Sequence, residues 1–251
     1  MRLAVAGKGG AGKTTLSATM ARLAAAQGCH VVAIDADTNP NLAVALGIDA
    51  GQVDRTPILP TTIVSRRFDG PGLNVSLDEV LAAHATRGPD GVLLVRMGMP
   101  THAQEGCLCS AHAAASALLG DLGTHDDWFT IMDLEASPEH LSRGTARHAD
   151  RLLLVAEPYF RSLETVRRQA VLAAELPNTI VGVVANKIRR DGDAEAIGEF
   201  TRDLGLPLWG TVLWSQDVGE ADRAAVALVD LTPDSVVVDG VRRLLETLGI
   251  G

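Results

Sequence analysis

The stretch GKGGAGKTT, residues 7–15, restricts the fold of this chain more than any other part of the sequence. It meets the pattern G-x-x-x-x-G-K-[ST] through Gly7, Gly12, Lys13 and Thr14, between an apolar strand-like segment and a segment with helical periodicity. Backbone N–H groups of such a loop, together with the positive end of the helix, bind phosphate oxygens. Lys13 then reaches the β and γ phosphates, and the Thr14 hydroxyl ligates Mg²⁺. The sequence therefore predicts a site for ATP or ADP with Mg²⁺.

The other residues of this loop complete the predicted phosphate site. Gly9, Gly10, Ala11 and Thr15 are assigned to nucleotide binding together with the motif residues, because backbone N–H groups converge on the phosphates. The alternative is a glycine-rich turn that fits the pattern by chance. The strand-like segment before the loop and the helical segment after it argue against that alternative.

Lysine is rare in this chain and is concentrated at the predicted site. It occurs three times, at Lys8, Lys13 and Lys187, so the other 19 of the 22 basic residues are arginine. We infer that lysine is kept where a compact charge on a flexible stem is required and the wide guanidinium group would not fit. An ordinary phosphate loop does not need a lysine at the position of Lys8. Lys8 is therefore either a residue with an additional function or a solvated loop charge.

Two further segments place carboxylates at the ends of apolar strands. Residues 30–37, HVVAIDAD, end in Asp35 and Asp37, and residues 127–136, DWFTIMDLEA, carry Asp133 near their end. Carboxyl ends of parallel strands face the ligand crevice of a sheet, so these side chains are expected beside the phosphate loop. For each aspartate the alternative is a loop residue or a helix cap.

The rest of the chain alternates strand-like and amphipathic helical segments. This alternation predicts an α/β fold, a doubly wound and mostly parallel sheet flanked by helices. With 251 residues, of which 47% are hydrophobic, the chain is long enough for one well-buried core, and residues 1–251 are expected to form a single domain.

The loop GKGGAGKTT resembles the deviant Walker A motif of the MinD, ParA and nitrogenase-iron-protein ATPases, which have the P-loop NTPase fold. That resemblance implies a face-to-face homodimer in the ATP state, in which Lys8 reaches the partner's nucleotide and neutralises charge between the β and γ phosphates, as an arginine finger does. It also implies that Asp35 lies in the water shell of Mg²⁺, that Asp37 orients the attacking water and that Asp133 is the Walker B carboxylate. Lys8, Lys13 and Asp37 are thus the expected catalytic residues.

By the same resemblance, Asn186 and Lys187 are expected to close the nucleotide site. Relatives of MinD use an asparagine at this place to read the adenine edge, and the stem of the lysine packs on the base. The alternative is an ordinary polar pair at the end of a strand. After the last strand, Trp214 and Ser215 stand where relatives often carry a proline-containing adenine loop, and no base contact is assigned to them.

Charge and hydropathy limit the partners. The formal net charge is −9 and the sequence contains no basic run, which argues against a nucleic-acid partner. Neither a transmembrane segment nor a secretory signal is visible, so a cytoplasmic location with reduced thiols is expected. The C-terminal residues 234–251 have an apolar face with offsetting charges, and we interpret them as a helix that packs on the core, without stable membrane association.

The stretch EGCLCSAH, residues 105–112, places Cys107 and Cys109 two positions apart. Two thiolates are about half of what a zinc or nickel site requires. Cys29 lies in a mostly apolar stretch and is interpreted as a small apolar residue. His112 could add an imidazole ligand, but a solvent-exposed position at a helix start is the favoured interpretation, and His140 is likewise expected in solvent.

The chain also resembles the CooC family of ATPases, which support nickel insertion into carbon monoxide dehydrogenase. The resemblance rests on GKGGAGKTT, DADTNPNLA, LLVRMGMPTHAQEGCLC, DLEASPEHLSRGT, AEPYFRSLET and VVANKI, which occur in the family's order and spacing. It implies a dimer-interface site for Ni²⁺ or Zn²⁺ formed by Cys107 and Cys109 of two chains, and a client metalloenzyme as partner. The alternative is a MinD- or ParA-like positioning or regulatory ATPase that acts on a membrane or protein partner.

One departure from the family concerns the rate of hydrolysis. Ser137 stands where relatives usually have glycine, and Pro138 lacks an N–H group, so the segment has less backbone freedom to reach the γ-phosphate. Slow or partner-dependent hydrolysis is expected.

Overall fold

The computed structural model of the chain describes residues 1–67, 70–98, 109–137, 139–142 and 144–250. The strands are β1 (Arg2–Gly7), β2 (His30–Ala36), β3 (Val64–Arg67), β4 (Gly70–Leu73), β5 (Ala85–Arg87), β6 (Leu93–Arg96), β7 (Trp128–Leu134), β8 (Arg151–Ala156), β9 (Ile180–Ile188) and β10 (Leu208–Leu213). The helices are α1 (Lys13–Ala26), α2 (Leu42–Leu46), α3 (Ala50–Arg55), α4 (Leu77–His84), α5 (Cys109–Asp121), α6 (Glu139–Ser142), α7 (Phe160–Ala173), α8 (Asp191–Asp203), α9 (Asp217–Ala224), α10 (Leu228–Leu231) and α11 (Val236–Leu248).

Eight of the described strands form one sheet in the order β10-β9-β8-β1-β7-β2-β6-β5. All neighbours in it are parallel except β5, which pairs with β6 in the antiparallel sense at one edge. The strands β3 and β4 form a separate antiparallel pair. The predicted fold class, a mostly parallel sheet between helices, is confirmed. Parallel strands that are covered on both faces are apolar along their whole length. For this reason the strands could be recognised in the sequence as continuous hydrophobic runs.

The two faces of the sheet carry separate cores, and β1 contributes to both. Ala4 and Ala6 point to the side covered by α5 and α7, whereas Leu3 and Val5 point to the side covered by α1 and α11. This alternation follows from the two-residue period of a strand. Because β1 is central and buried from Leu3 to Gly7, the loop that follows it starts from a rigid position.

The helix α11 packs on the core, as its sequence predicted. Val241, Leu244, Leu245 and Leu248 are at most 2% exposed, and the helix lies against β10 and α1. Ser235 caps it by accepting a hydrogen bond from the backbone N–H of Val237. Within the described part of the chain, every helix is too short or too polar to cross a lipid bilayer.

Candidate functional site

The phosphate loop joins the end of β1 to the start of α1 through backbone conformations that require glycine. Gly7 has a φ of +152°, and a Cβ there would lie 2.8 Å from the carbonyl oxygen of Val155. Gly12 has a φ of +95°, and a Cβ there would lie 2.5 Å from Nδ2 of Asn186. Helix α1 begins directly after Gly12, so its free N–H groups point into the loop. The local geometry is therefore that of an anion-binding loop.

Lys13 places a buried ammonium group in this loop. Its side chain is 6% exposed, and Nζ donates a hydrogen bond to the carbonyl oxygen of Lys8 at 3.5 Å. Burial lowers the pKa of Lys13, and the charges of Asp133, Asp37 and Glu135 oppose that shift. A buried cation beside a helix N-terminus favours a polyanion such as the triphosphate of ATP.

Asp35 and Asp133 lie opposite each other on the neighbouring strands β2 and β7. Asp133 accepts hydrogen bonds from Oγ1 of Thr14 at 2.6 Å and from Oγ of Ser17 at 3.3 Å. Asp35 accepts from the backbone N–H groups of Leu42 at 3.0 Å and of Asp37 at 3.2 Å. The structure thus brings together three side chains that the sequence predicted for one site.

The same two carboxylates are well suited to a hard divalent cation. Burial, reinforced by the charge of Asp35, raises the pKa of Asp133 to about 7. Burial raises the pKa of Asp35 to about 6, although two backbone N–H groups oppose the shift. Ionising both groups is costly without a positive charge between them, and Mg²⁺ prefers oxygen ligands such as Thr14 and these carboxylates. The residues fit Mg²⁺, and Mg²⁺ bound there would neutralise phosphate charge.

This electrostatic cost leads to a testable prediction for Asp133→Asn. Without nucleotide and with a chelator present, the variant is expected to be more stable than the parent at pH 8, by about 2–4 kcal/mol in the free energy of unfolding. Because the folded-state pKa is raised, the parent keeps its full stability below about pH 4 and loses stability as pH rises to about 7. Asparagine does not ionise, so the advantage of the variant should grow across that window.

Urea denaturation at pH 4.5 and pH 8 measures this effect. Asp126→Asn, on the exposed loop before β7, is the matched control and should show no such pH-dependent gain. An Asp133→Asn variant that is less stable than the parent at pH 8 would mean that the carboxylate stabilises the empty site.

Asp37 lies next to the paired carboxylates and is only partly buried. Its Oδ1 accepts a hydrogen bond from the backbone N–H of Asn39 at 2.8 Å, which fixes the turn between β2 and α2. Its charge also acts on Lys13. The role of Asp37 in orienting water stays a prediction.

Asn186 and Lys187, at the end of β9, contact the backbone of the phosphate loop. Asn186 donates from Nδ2 to the carbonyl oxygen of Ala11 at 2.7 Å, and Lys187 donates from Nζ to the carbonyl oxygen of Gly10. Lys187 also forms an ion pair with Glu157 at 2.9 Å. The pair was predicted to contact the base, and the structure assigns it to the loop itself. The base contact stays a prediction.

A cavity of about 320 Å³ opens beside the phosphate loop. Its walls include Gly12, Asn186, Lys187, Trp214 and Gln216. The guanidinium group of Arg189 stacks on the ring of Trp214, with its central carbon 3.9 Å from the ring centroid. An aromatic ring in a mostly apolar cavity next to a phosphate site suits a purine base.

The sequence did not predict that Trp214 and Ser215 contribute to the site, because these residues stand in place of a proline-containing loop and no base contact was assigned to them. Both residues line the cavity. The feature of the sequence that could have indicated this role is the aromatic residue directly after the last strand, at the carboxyl edge of the sheet.

Lys8 stands apart from the other lysines of the site. Its Nζ donates to the carbonyl oxygen of Gly9 at 3.3 Å and lies 5.7 Å from the centroid of the Tyr159 ring. The side chain is partly exposed. The ammonium group thus lies on the surface of the loop, where a second molecule can reach it.

The cysteine pair is only partly described. Cys107 lies outside the described residues. Cys109 is the exposed first residue of α5 and is disulfide-bonded in the structure. Cys29 is free and half-buried, and it packs against the apolar core, as predicted.

The prediction that His112 and His140 are solvent-exposed is wrong. They are 5% and 2% exposed, and their rings meet edge to face with centroids 4.4 Å apart. Nε2 of His140 lies 3.2 Å from Oε2 of Glu135. The physical reason is that α5 is buried on nearly all sides, and its first turns are covered by the segment that contains α6. Local sequence cannot show that a helix start is covered by a distant segment.

Comparison with known proteins identifies the family of this chain. Residues 3–235 match the family described as the CobQ/CobB/MinD/ParA nucleotide binding domain. The carbon monoxide dehydrogenase accessory protein CooC of Rhodospirillum rubrum is 33% identical over 93% of this chain and 91% of its own length. An uncharacterized ATP-binding protein of Methanocaldococcus jannaschii, MJ0823, is 33% identical over 87% of each chain.

Solved structures share the fold at lower identity. A ParA family ATPase from Chlorobium tepidum has a TM-score of 0.74 at 18% identity, over 98% of both chains. The septum site-determining protein MinD of Pyrococcus horikoshii, solved with Mg-ADP, has a TM-score of 0.70 at 18% identity, over 99% of this chain and 96% of that one. The chain therefore belongs to the CobQ/CobB/MinD/ParA family of nucleotide-binding domains and is a P-loop ATPase.

Proposed function

We propose that this ATPase dimerises with ATP and assists the insertion of a metal ion, nickel, into a client enzyme such as carbon monoxide dehydrogenase. The observation that carries the proposal is a cysteine at the exposed start of α5 in a chain 33% identical to a carbon monoxide dehydrogenase accessory protein. In the parallel sheet, the start of α5 lies at the carboxyl edge, which also carries the phosphate loop. Metal and nucleotide would thus bind at one edge of the molecule.

The metal would be shared by two chains. Cys107 and Cys109 of one chain supply two thiolates, and a zinc or nickel ion bound by thiolates takes about four donors. A two-fold axis that brings the same surface of two chains together supplies the other two. Nickel and zinc are here the cargo, whereas Mg²⁺ belongs to the nucleotide site.

The nucleotide would assemble the same dimer. Lys13 would bind the β and γ phosphates, and Thr14, Asp35 and Asp133 would hold Mg²⁺. The partly exposed Lys8 would reach the nucleotide of the second chain, where its charge would stabilise the transition state of phosphoryl transfer. The chemistry is the attack of water on the γ-phosphate, which yields ADP and phosphate.

A positioning function on a membrane is less well supported. Membrane binding of that kind requires an amphipathic helix whose apolar face is free. The apolar residues of α11 are used in the core, where Val241 and Leu244 are fully buried.

The proposal is tested by metal content and oligomeric state of the parent protein. Reduced protein, with Cys109 released from its disulfide, is loaded with Zn²⁺ or Ni²⁺ and studied by elemental analysis and analytical ultracentrifugation. We expect one ion for two chains, in a dimer, and more dimer when a non-hydrolysable ATP analogue is present. One ion for each chain in a monomer would contradict a shared site, and no bound metal would contradict the metal function.

A further inference from the structure

The start of α5 is attached to the segment that follows β7. His112 lies three residues after Cys109, one helical turn into α5, and its ring contacts that of His140 in α6. Four residues later, Ser116 donates from Oγ to the carbonyl oxygen of Gly144 at 3.1 Å. Residues four apart share one face of a helix, so the same face of α5 contacts both His140 and Gly144.

The same segment continues to the nucleotide site. Nε2 of His140 lies 3.2 Å from Oε2 of Glu135, and Glu135 is two residues after Asp133. The charge of Glu135 is one of three that offset the burial of Lys13. A series of contacts therefore runs from Glu135 through His140 and His112 to the turn that begins with Cys109, and the charge of Glu135 acts on Lys13 of the phosphate loop.

The contacts between Glu135, His140 and His112 are polar and largely buried, so a small displacement of one of these side chains affects the others. Both imidazole rings are almost fully buried and meet at 88°, and the carboxylate of Glu135 orients one of them. Buried polar groups hold one arrangement because their partners are lost when they shift. A well-packed contact also transmits displacement in discrete steps, because the interior has no room for gradual deformation.

We propose that His112 and His140 are positioning residues that couple the state of the nucleotide to the placement of Cys109. This inference rests on the proposed function of the cysteine pair. ATP binding next to Asp133 displaces Glu135 and His140, and the edge-to-face contact passes the displacement to the first turn of α5. By reciprocity, a metal ion that holds Cys109 in its bound position favours the ATP state by the same factor.

Three variants interrupt or preserve the contact in different ways. His112→Ala removes the ring, whereas His112→Phe keeps an aromatic ring in the same place and should rescue the coupling. His140→Gln removes the ring contact and keeps a donor for Glu135. The matched control is His148→Gln, because His148 packs beside Gly120 in the last turn of α5, away from the nucleotide site.

Two measurements follow the coupling without relying on ATP turnover. The first is the affinity for Zn²⁺ with and without a non-hydrolysable ATP analogue. The second is the alkylation rate of Cys109 in the reduced protein, with and without the analogue, read by peptide mass spectrometry. The affinity for the analogue itself, in the absence of metal, verifies that the nucleotide site is intact.

In the parent and in His148→Gln we expect the analogue to tighten Zn²⁺ binding about tenfold and to change the alkylation rate of Cys109. In His112→Ala and His140→Gln both responses should fall below about twofold, whereas His112→Phe should keep most of them. Parent-like responses in His112→Ala and His140→Gln would overturn the inference, as would a parent that binds Zn²⁺ without any response to the analogue. A parent that binds no Zn²⁺ would refute the proposed function instead, and the alkylation rates alone would then decide the inference.

Discussion

Lys8→Ala is expected to bind ATP within about threefold of the parent but to hydrolyse it about 10³-fold more slowly, and to lose dimerisation with ATP. The reason is that Nζ of Lys8 donates to the carbonyl oxygen of Gly9 and lies 5.7 Å from the centroid of the Tyr159 ring, whereas Lys13 supplies the buried ammonium group of the loop. Its effect on the nucleotide would arise only in the dimer. Lys13→Ala should instead lose ATP binding and hydrolysis together, because it removes the buried cation of the loop.

Mixing the two variants tests whether Lys8 acts across the dimer. A mixed dimer contains one chain with an intact Lys13 that receives Lys8 from the other chain, so part of the activity should return. If Lys8 acts within its own chain, the mixture stays inactive. Isothermal titration gives the ATP affinity, phosphate release gives the rate, and sedimentation gives the dimer fraction.

A matched control separates this role from general electrostatics. Arg161 is an exposed cation near Tyr159, in the first turn of α7. Arg161→Ala should hydrolyse ATP and dimerise like the parent. A Lys8→Ala variant that behaves like Arg161→Ala would make Lys8 an ordinary solvated charge.

Cys107→Ala and Cys109→Ala are each expected to weaken metal binding at least about 100-fold, with ATP affinity unchanged. Each substitution removes two of the four thiolates of the proposed dimer site, and a metal left with two sulfur ligands loses its closed coordination. The metal should then fail to promote the dimer. Zn²⁺ affinity by competition with a chromophoric chelator, in reducing buffer, measures the loss.

Cys29→Ala is the internal control for this experiment. Cys29 is half-buried against the apolar core, and it should bind no metal. Full metal binding by Cys107→Ala and Cys109→Ala would remove the basis for a shared thiolate site. The chain would then remain a P-loop ATPase whose use of ATP is open to other tests.

The phosphate loop and the sheet were predictable because they are encoded by neighbouring residues. Gly7 and Gly12 are required by backbone torsions and close approach, and the apolar runs of the strands follow from burial on both faces of a parallel sheet. Asp35 and Asp133 were predicted for one site because each ends such a run. The structure shows in addition that the two residues lie directly opposite each other on β2 and β7, where the charge of one acts on the other.

Contacts between distant segments were decided only by the tertiary structure. Asn186 binds the carbonyl oxygen of a residue 175 positions away in sequence, and Trp214 lines a cavity together with Gly12 and Thr15 of the distant phosphate loop. His112 and His140 look like surface residues in their own segments, yet both are buried, and their rings contact each other between α5 and α6. Periodicity reports which face of an element is apolar, but a polar side chain is buried or exposed according to what another element places over it.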